Sequence, residues 1–407
     1  MTLRFADYTL DTDTRELRLG ADMVAVEPQV FDLLVYLIAN RDRVVSKDDL
    51  LDAVWGGRIV SESTLTTRIN AARRAVGDSG ERQQLIRTIA RKGFRFVAPV
   101  ADDAKPAREP PGRPEQRPQL HQEVQFCTAS DGTRIAYATV GDGPPLIKTG
   151  NWLNHLEHDW ESPVWKHIYA ELASRHRFIR YDARGNGLSD WDIKDFSFEA
   201  FVGDLECVVE ASGVQRFALL GISQGCAISV AYAVRHPERV SHLILYGGFA
   251  RGWCRHGSAE TVKLMAATEL LMLQGWGRKN PAFRQYFSTV FMPDASPELL
   301  RSFNELQRKS TSPDNAVAIL RSINEFDIDH LLPQVKVPTL VLHCRGDSAQ
   351  PFDEGRRLAA GIPGARFVAL DGRSHLILED DPAWTRLRDE MRIFLQTPNS
   401  RTAPPKE

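Results

Sequence analysis

One serine of this chain lies in a pattern that is typical of covalent catalysis. Residues 221–225 read Gly-Ile-Ser-Gln-Gly, a G-x-S-x-G motif centred on Ser223. An apolar run, 217–220, precedes the motif, and a helix-like stretch, 226–235, follows it. In a strand, sharp turn and helix, the two glycines let the backbone turn without Cβ clashes and leave the serine hydroxyl exposed. Because a serine attacks a carbonyl well only when a base takes its proton, the motif predicts partner residues elsewhere in the chain.

A second feature indicates a different chemistry. Residues 58–95 hold nine Lys and Arg (58, 68, 73, 74, 82, 87, 91, 92, 95) against three Asp and Glu (62, 78, 81), whereas the whole chain has 51 against 53. A short basic segment in a nearly neutral chain is typical of a local nucleic-acid footprint. A solvated helix face is the alternative that charge alone leaves open.

Length and composition set limits on the class of protein. A chain of 407 residues is expected to hold two or more domains. No apolar run approaches 18 residues and the N-terminus lacks an apolar signal region, so we expect a cytoplasmic protein without a membrane span. The five cysteines have no C-x-x-C spacing, which favours a reduced protein without a zinc site. We expect neither a metal nor a cofactor.

The domain boundaries follow from a proline-rich segment. Residues 101–120 contain five prolines (106, 110, 111, 114, 118) among charged residues, which predicts a semi-extended linker. We therefore expect an N-terminal domain at 1–100, the linker at 101–120, a large domain at 121–396 and a disordered tail at 397–407.

The N-terminal hundred residues combine short strands with three helices. Strand-like runs occur at 3–10, 16–19 and 23–26, and again at 85–89 and 94–97, where a basic turn joins them. Apolar periodicity predicts a helix that opens at Glu27-Pro28, a second at 47–54 and a third at 61–76. Leu65, Ile69, Ala72 and Val76 form the apolar stripe of the third helix.

Residues 3–98 resemble the winged-helix output domain of OmpR/PhoB-type response regulators and of ToxR/CadC-like regulators. The resemblance implies double-stranded DNA as a partner, with the third helix in the major groove and the closing hairpin as a wing. Arginine suits this role because it pairs with guanine or with phosphate. Since one winged helix covers a small interface, we expect a homodimer on paired half-sites. The expected DNA contacts are Thr64, Thr67, Arg68, Asn70, Arg73, Arg74, Arg91 and Lys92.

The remainder alternates apolar runs with helix-like segments, which predicts a doubly wound α/β sheet. Four motifs then follow in order: the D-x-R-G-x-G-x-S loop 182–189, the Ser223 turn, an acid at Asp347 after a strand, and His375 after the last strand. In this order they resemble the α/β-hydrolase superfamily. The predicted strands are 145–148, 178–181, 217–220, 242–246, 339–343 and 366–370.

The resemblance implies a Ser-His-Asp triad of Ser223, His375 and Asp347. His375 would accept the serine proton and later protonate the leaving group, and Asp347 would orient the imidazole. Asp371 is a competing acid near His375, although it follows the sixth predicted strand instead of the fifth. The expected oxyanion hole consists of the backbone N–H groups of Gln224 and Asn151.

A helix-rich segment at about 249–332 interrupts the strand pattern and carries many large apolar residues. We expect it to form a lid over the site, although Met and aromatic residues on helices often serve only as packing. The candidate pocket residues are Trp152, His155 and Trp276. Such a lid predicts a small, largely apolar ligand with one reactive carbonyl, such as an ester or a lactone.

Two functional hypotheses remain open from the sequence. The first is a one-component transcriptional regulator whose hydrolase-like domain senses a small molecule, either by binding it or by hydrolysing it. The second is a serine hydrolase, an esterase or lactonase, with an accessory DNA-binding domain. A structural adaptor with two vestigial sites is the weakest interpretation, because both sites retain their chemically demanding residues.

Overall fold

A computed structural model describes residues 2–20, 22–55, 62–89, 92–102 and 122–397. The chain divides into two compact units, Met1–Pro114 and Glu115–Glu407. None of the helices in the described ranges is both long and apolar enough to cross a membrane.

The described part of the N-terminal unit contains a five-stranded antiparallel sheet in the order β4-β3-β2-β1-β7, and β5 pairs with β6 in a separate hairpin. The predicted strand 3–10 is two strands, since Ala6 turns the chain with a φ of 45°. β7 begins in the predicted domain and extends two residues into the predicted linker. The strands are β1 Thr2–Phe5, β2 Tyr8–Asp11, β3 Glu16–Leu19, β4 Asp22–Val24, β5 Ile86–Ile89, β6 Gly93–Phe96 and β7 Val100–Asp102.

The helices α1 (Pro28–Ala39), α2 (Lys47–Trp55) and α3 (Glu62–Ala75) pack with these strands around one core. The predicted stripe of α3 is buried in that core, from Leu65 to Val76. The hairpin is anchored where Val45 and Phe94 exchange backbone hydrogen bonds of 2.8 Å. The fold requires glycine at position 93, because a Cβ there would lie 1.9 Å from the Val45 carbonyl oxygen.

Within residues 122–397, eight strands form one sheet in the order β15-β14-β13-β12-β10-β11-β9-β8. The six strands that the sequence predicts are parallel, and the two that it does not predict, β8 and β9, are antiparallel at one edge. The strands are β8 Glu123–Thr128, β9 Arg134–Val140, β10 Pro145–Lys148, β11 Arg177–Tyr181, β12 Phe217–Ile222, β13 Val240–Tyr246, β14 Thr339–Cys344 and β15 Arg366–Leu370.

Helices cover both faces of this sheet. Neighbouring residues of β12 alternate between the two large cores, as Leu219 and Leu220 do, because successive side chains of a strand point to opposite faces. The helices are α4 Leu156–Glu161, α5 Lys166–Ala173, α6 Phe198–Ser212, α7 Gly225–Arg235, α8 Trp253–His256, α9 Ala259–Gly275, α10 Ala282–Phe291, α11 Pro297–Ser310, α12 Pro313–Asn324, α13 Phe352–Gly361 and α14 Pro382–Gln396, with a 3-10 helix at Asp329–Gln334.

Helices α8 to α12 lie between β13 and β14 in the chain and form the helical lid that the sequence predicts. They have a small core of their own, in which Met272, Trp276 and Phe287 pack against Leu153. Serine N-caps begin α9, α11 and α12, and each accepts a hydrogen bond from a backbone N–H of the first turn.

Candidate active site and DNA-binding surface

The predicted catalytic residues follow the carboxyl ends of parallel strands. Ser223 follows β12, Asp347 follows β14 and His375 follows β15, and the predicted oxyanion loop follows β10. Since the carboxyl ends of parallel strands share one edge of a sheet, the topology brings these loops together.

Ser223 occupies a strained turn between β12 and α7. Its φ is 54°, in the left-handed region that non-glycine residues rarely adopt. Gly221 allows the helix to turn back over the strand, because a Cβ at that position would lie 2.7 Å from Cys226 Cα. The Ser223 N–H donates to Tyr246 O at 2.9 Å, so the neighbouring strand fixes the turn.

His375 and Asp347 form a buried hydrogen-bonded pair. His375 Nδ1 lies 2.8 Å from Asp347 Oδ2, and both side chains are almost fully buried. The other carboxylate oxygen accepts from the N–H groups of Ala349 and Gln350, each at 2.9 Å. Burial alone raises the pKa of Asp347, but the His375 ring and the Gln350 N–H outweigh it and lower the pKa.

The second nitrogen of His375, Nε2, is buried and has no hydrogen-bond partner. The ring stacks on Phe291 with 5.5 Å between ring centroids, and the His375 N–H donates to Phe291 O at 2.8 Å. The competing acid, Asp371, instead pairs with Arg345 at 3.1 Å, and its side chain is 80% exposed. The carboxylate partner of His375 in this structure is therefore Asp347 and not Asp371.

The two predicted oxyanion donors lie on neighbouring segments, Gln224 in the serine turn and Asn151 in the loop after β10, where Gly150 O would lie 3.2 Å from a Cβ at Gly225. Gln224 immediately precedes α7, and Asn151 is buried at 1% exposure. A residue that the sequence analysis did not identify, Lys148, contacts the Asn151 side-chain oxygen through Nζ and donates to Thr149 O at 3.3 Å. Burial lowers the pKa of Lys148, with Asp159, Arg180 and Asp182 as its charged neighbours.

Ser223 lines a pocket of about 290 Å³ between the sheet edge and the lid. Trp152 and Gln224 line it as well, and none of the described residues that line it is charged. The sequence patterns do not predict Ser348 and Gln350 as lining residues. Their position within three residues of Asp347 is the feature that could have indicated them. The other lining residues are Trp253, Thr261, Leu264, Met265, Thr268, Tyr286, Phe287, Val290, Phe291, Leu320, Ile323, Asn324 and Ala349.

Two of the three predicted pocket residues do not reach the pocket wall. Trp276 is fully buried, stacks on Trp152 at 5.8 Å and donates through Nε1 to Thr311 O at 3.2 Å. His155 is buried at 8% exposure beside His158, with 4.4 Å between ring centroids. Burial lowers the pKa of His155 to about 4. Trp276 supports the pocket from behind, through its contact with Trp152.

In the N-terminal unit, α3 presents an exposed polar face opposite its buried stripe. Thr67, Asn70 and Arg74 are exposed, and Thr64 and Arg68 are half-buried. Arg68 forms an ion pair with Glu27, directly before α1. Lys92 is exposed at the turn of the β5–β6 hairpin. Arg91, the other predicted wing contact, lies outside the described residues.

The structure corrects the prediction for Arg73. This side chain is only 5% exposed, and its guanidinium donates to Ile86 O at 3.0 Å and to Thr88 Oγ1 at 2.8 Å. Arg73 therefore joins α3 to β5 and is not part of the exposed face of α3. Its position four residues after Ile69 and one after Ala72 places it beside the buried stripe.

The chain belongs to the alpha/beta hydrolase fold family, whose model matches residues 156–382. Residues 21–96 match a second family, described as "Transcriptional regulatory protein, C terminal". The chain is thus a fusion of an OmpR/PhoB-type winged-helix domain and an α/β-hydrolase domain.

Relatives in sequence include proteins named as hydrolases. A 2-hydroxy-6-oxononadienedioate/2-hydroxy-6-oxononatrienedioate hydrolase of Paraburkholderia phymatum is 30% identical over 255 residues, 60% of this chain and 84% of that protein. The AB hydrolase superfamily protein YisY of Bacillus subtilis is 27% identical over 249 residues, 58% of this chain and 86% of YisY.

Solved structures agree on the fold. An esterase from Exiguobacterium antarcticum matches with a TM-score of 0.57 and 22% identity, over 68% of this chain and 100% of that one. The enol-lactonase from Burkholderia xenovorans matches with a TM-score of 0.54 and 23% identity, over 67% of this chain and 100% of the lactonase. At these identities the likeness establishes the fold alone.

Proposed function

We propose that this protein is a DNA-binding transcriptional regulator whose hydrolase domain binds and hydrolyses a small, neutral ester- or lactone-like ligand. The observation that carries the proposal is a buried His375–Asp347 pair whose imidazole stacks on Phe291, a residue that lines the same uncharged pocket as Ser223, in a chain that also has a winged-helix domain. An esterase alone gains nothing from a winged-helix domain, so the fusion favours regulation over simple hydrolysis.

The proposed chemistry uses the serine, histidine and aspartate in turn. Ser223 Oγ attacks the carbonyl carbon of the ligand while His375 Nε2 takes the hydroxyl proton. Asp347 keeps its negative charge, because its pKa is lowered, and stabilises the imidazolium through Nδ1. The N–H groups of Gln224 and Asn151 would stabilise the oxyanion. His375 then protonates the leaving alcohol, and water hydrolyses the acyl-enzyme by the same steps.

The pocket supports a neutral ligand. A carboxylate placed among the aromatic and aliphatic side chains of the lid would lose its hydration without gaining a cationic partner, because no Lys, Arg or His is among the described lining residues. The proposal therefore separates this protein from its Paraburkholderia relative, whose name describes dianionic ligands.

Fluorophosphonate labelling of the full-length protein tests the proposed chemistry. We expect the reagent to label wild-type protein, and we expect Ser223→Ala and His375→Ala to abolish labelling while both variants keep the wild-type melting temperature. Ser348→Ala is the matched control, since Ser348 lines the same pocket outside the serine turn. Labelling that persists in Ser223→Ala would refute the role of this serine.

A pair of ester substrates tests the predicted ligand class. Hydrolysis of a neutral p-nitrophenyl butyrate is expected to exceed that of the corresponding succinate half-ester by at least about 100-fold in kcat/KM, because burying one unpaired carboxylate costs roughly 3 kcal/mol or more. Equal rates for the two esters would contradict a neutral ligand.

A further inference from the structure

Two cysteines that are far apart in sequence lie next to each other in the hydrolase unit. Cys127 belongs to β8 and Cys207 belongs to α6. The two thiols are close enough for each to shift the pKa of the other, and each side chain is partly exposed. The candidate active site uses neither of them.

Both cysteines line one open groove on the surface, together with Ser130, Glu206 and Glu210. The groove gives a small reagent access to the two sulfur atoms. Cys127 also lies in the edge strand of the sheet, which pairs on one side only, with β9, among the described residues. An edge strand tolerates a small displacement toward α6 better than a central strand does, because it has fewer hydrogen bonds to keep.

The other three cysteines have different surroundings. Cys226 is buried, and its thiol donates to Tyr246 O at 3.5 Å. Cys344 is buried beside the Tyr246 hydroxyl at 3.7 Å. Cys254 is exposed and neighbours Glu325. Proximity thus distinguishes the Cys127–Cys207 pair from the other thiols of the chain.

We infer that Cys127 and Cys207 are an oxidation site that closes to a disulfide when a hydroperoxide enters the groove. The Cys207 thiolate attacks the peroxide oxygen and becomes a sulfenic acid as the O–O bond breaks, releasing one water from hydrogen peroxide. The Cys127 sulfur then attacks the sulfenic sulfur and expels a second water. Two thiols and one peroxide give one disulfide and two waters.

The order of attack follows from the effect of each thiol on the pKa of the other. The Cys127 thiol lowers the pKa of Cys207, whereas the Cys207 thiol raises the pKa of Cys127. Burial and the nearby carboxylate of Asp204 oppose the formation of the Cys207 thiolate. Glu206 and Glu210 also line the groove, and they form ion pairs with Arg235 and Arg239 respectively. Because the thiolate is the attacking species, oxidation becomes faster as the pH rises.

The disulfide would join the edge strand to α6 across 80 residues of chain. A loop of this length makes the cross-link stabilising if its geometry is unstrained, because it removes freedom from the unfolded chain. α6 also carries Asp204, which holds the buried guanidinium of Arg184 at 2.7 Å. Oxidation should accordingly raise the melting temperature of the hydrolase unit.

Peptide mapping of the full-length protein after hydrogen peroxide treatment tests the inference. Reduced and oxidised samples are alkylated, digested without reductant and analysed by mass spectrometry. We expect a cross-linked peptide pair that contains Cys127 and Cys207 and a fall from five alkylated thiols to three. The Cys127→Ser variant should leave a sulfenic acid on Cys207 that dimedone traps, and the Cys254→Ser control should form the disulfide as the wild type does.

Two results would overturn the inference. One is that both cysteines remain alkylated while the exposed Cys254 is oxidised. The other is a disulfide that joins either cysteine to a different partner. The wild-type map is decisive even if a serine variant folds poorly, and it does not depend on whether Ser223 is catalytic.

Discussion

At the scale of single residues, hydrogen bonds stabilise the anionic form of Asp347. Its two carboxylate oxygens accept hydrogen bonds from His375 and from two backbone N–H groups. With these bonds the carboxylate can be buried as an anion without an arginine or a lysine. The G-x-S-x-G motif and the chain order of acid and histidine predicted the identity of these residues, but the supporting bonds come from the turn 347–350.

Lys148 is a positioning residue for the proposed oxyanion hole. Replacing Lys148 with Met removes the contact that holds the Asn151 side chain, so we expect the rate of fluorophosphonate labelling to fall roughly tenfold, less than the loss of a whole oxyanion donor. Labelling rates and thermal melts of Lys148→Met and of the exposed control Lys166→Met provide the check. An unchanged labelling rate in a folded Lys148→Met variant would exclude this role.

Adjacent arginines of α3 give a paired test of the DNA surface. We expect Arg74→Ala to weaken DNA binding without lowering stability, because Arg74 is exposed. Arg73→Ala should destabilise the N-terminal unit by roughly 2 to 4 kcal/mol, because it leaves the buried Ile86 carbonyl without its donor. Electrophoretic mobility shifts and chemical denaturation of both variants distinguish the roles. A destabilised Arg74→Ala variant with intact DNA affinity would reverse the assignment.

At the scale of elements, the turn after α3 depends on Asp78. Its carboxylate accepts from the N–H groups of Ser79, Gln84, Leu85 and Ile86 at 2.8 to 3.0 Å. Burial alone would raise the pKa of Asp78, but these four bonds together lower it. The turn therefore sets the position of α3 relative to the wing strand β5.

The Asp78→Asn variant should lose roughly 2 to 4 kcal/mol of stability. The side-chain NH2 group of asparagine would face backbone N–H groups and cannot accept hydrogen bonds from them. The lowered pKa means that the anionic carboxylate stabilises the fold above its ordinary pKa, and that this contribution is lost as the pH falls through the folded value. The difference in the free energy of unfolding between wild type and variant should thus have its largest value at pH 6 and decrease below about pH 4. Denaturant unfolding at several pH values measures it, with the exposed Asp42→Asn as control. A gap that is independent of pH would contradict the argument.

The parallel strands were predictable from sequence, and the antiparallel edge was not. β10 to β15 are apolar runs with turn signals between them, which is typical of strands buried on both faces. β8 has exposed side chains at four of its six positions, and one of these is the aromatic Phe126, so it has no clear apolar pattern. The hairpin of β1 and β2 was missed because Ala6 turns the chain without a glycine or a proline. The lid was predictable as a helical insertion, but not which of its side chains reach the pocket, because that depends on helix packing.

At the scale of the whole molecule, a ligand-sensing regulator requires coupling between the two units. The sequence and the comparisons establish a winged-helix domain and a hydrolase domain in one chain. Coupling requires that the occupied pocket change the free energy of DNA binding, which occurs only if the ligand binds the free and DNA-bound forms differently. The lid supplies much of the pocket wall, so occupancy of the pocket acts on the lid first.

The most direct test is the DNA affinity of the full-length protein before and after Ser223 is fully phosphonylated, measured on the DNA upstream of its own gene. We expect phosphonylation to change the dissociation constant for DNA at least about fivefold, in the range typical of allosteric coupling. The Ser223→Ala variant, treated in the same way, should keep its DNA affinity. Unchanged affinity at complete phosphonylation would contradict a ligand-sensing regulator and would favour a serine hydrolase with an accessory DNA-binding domain.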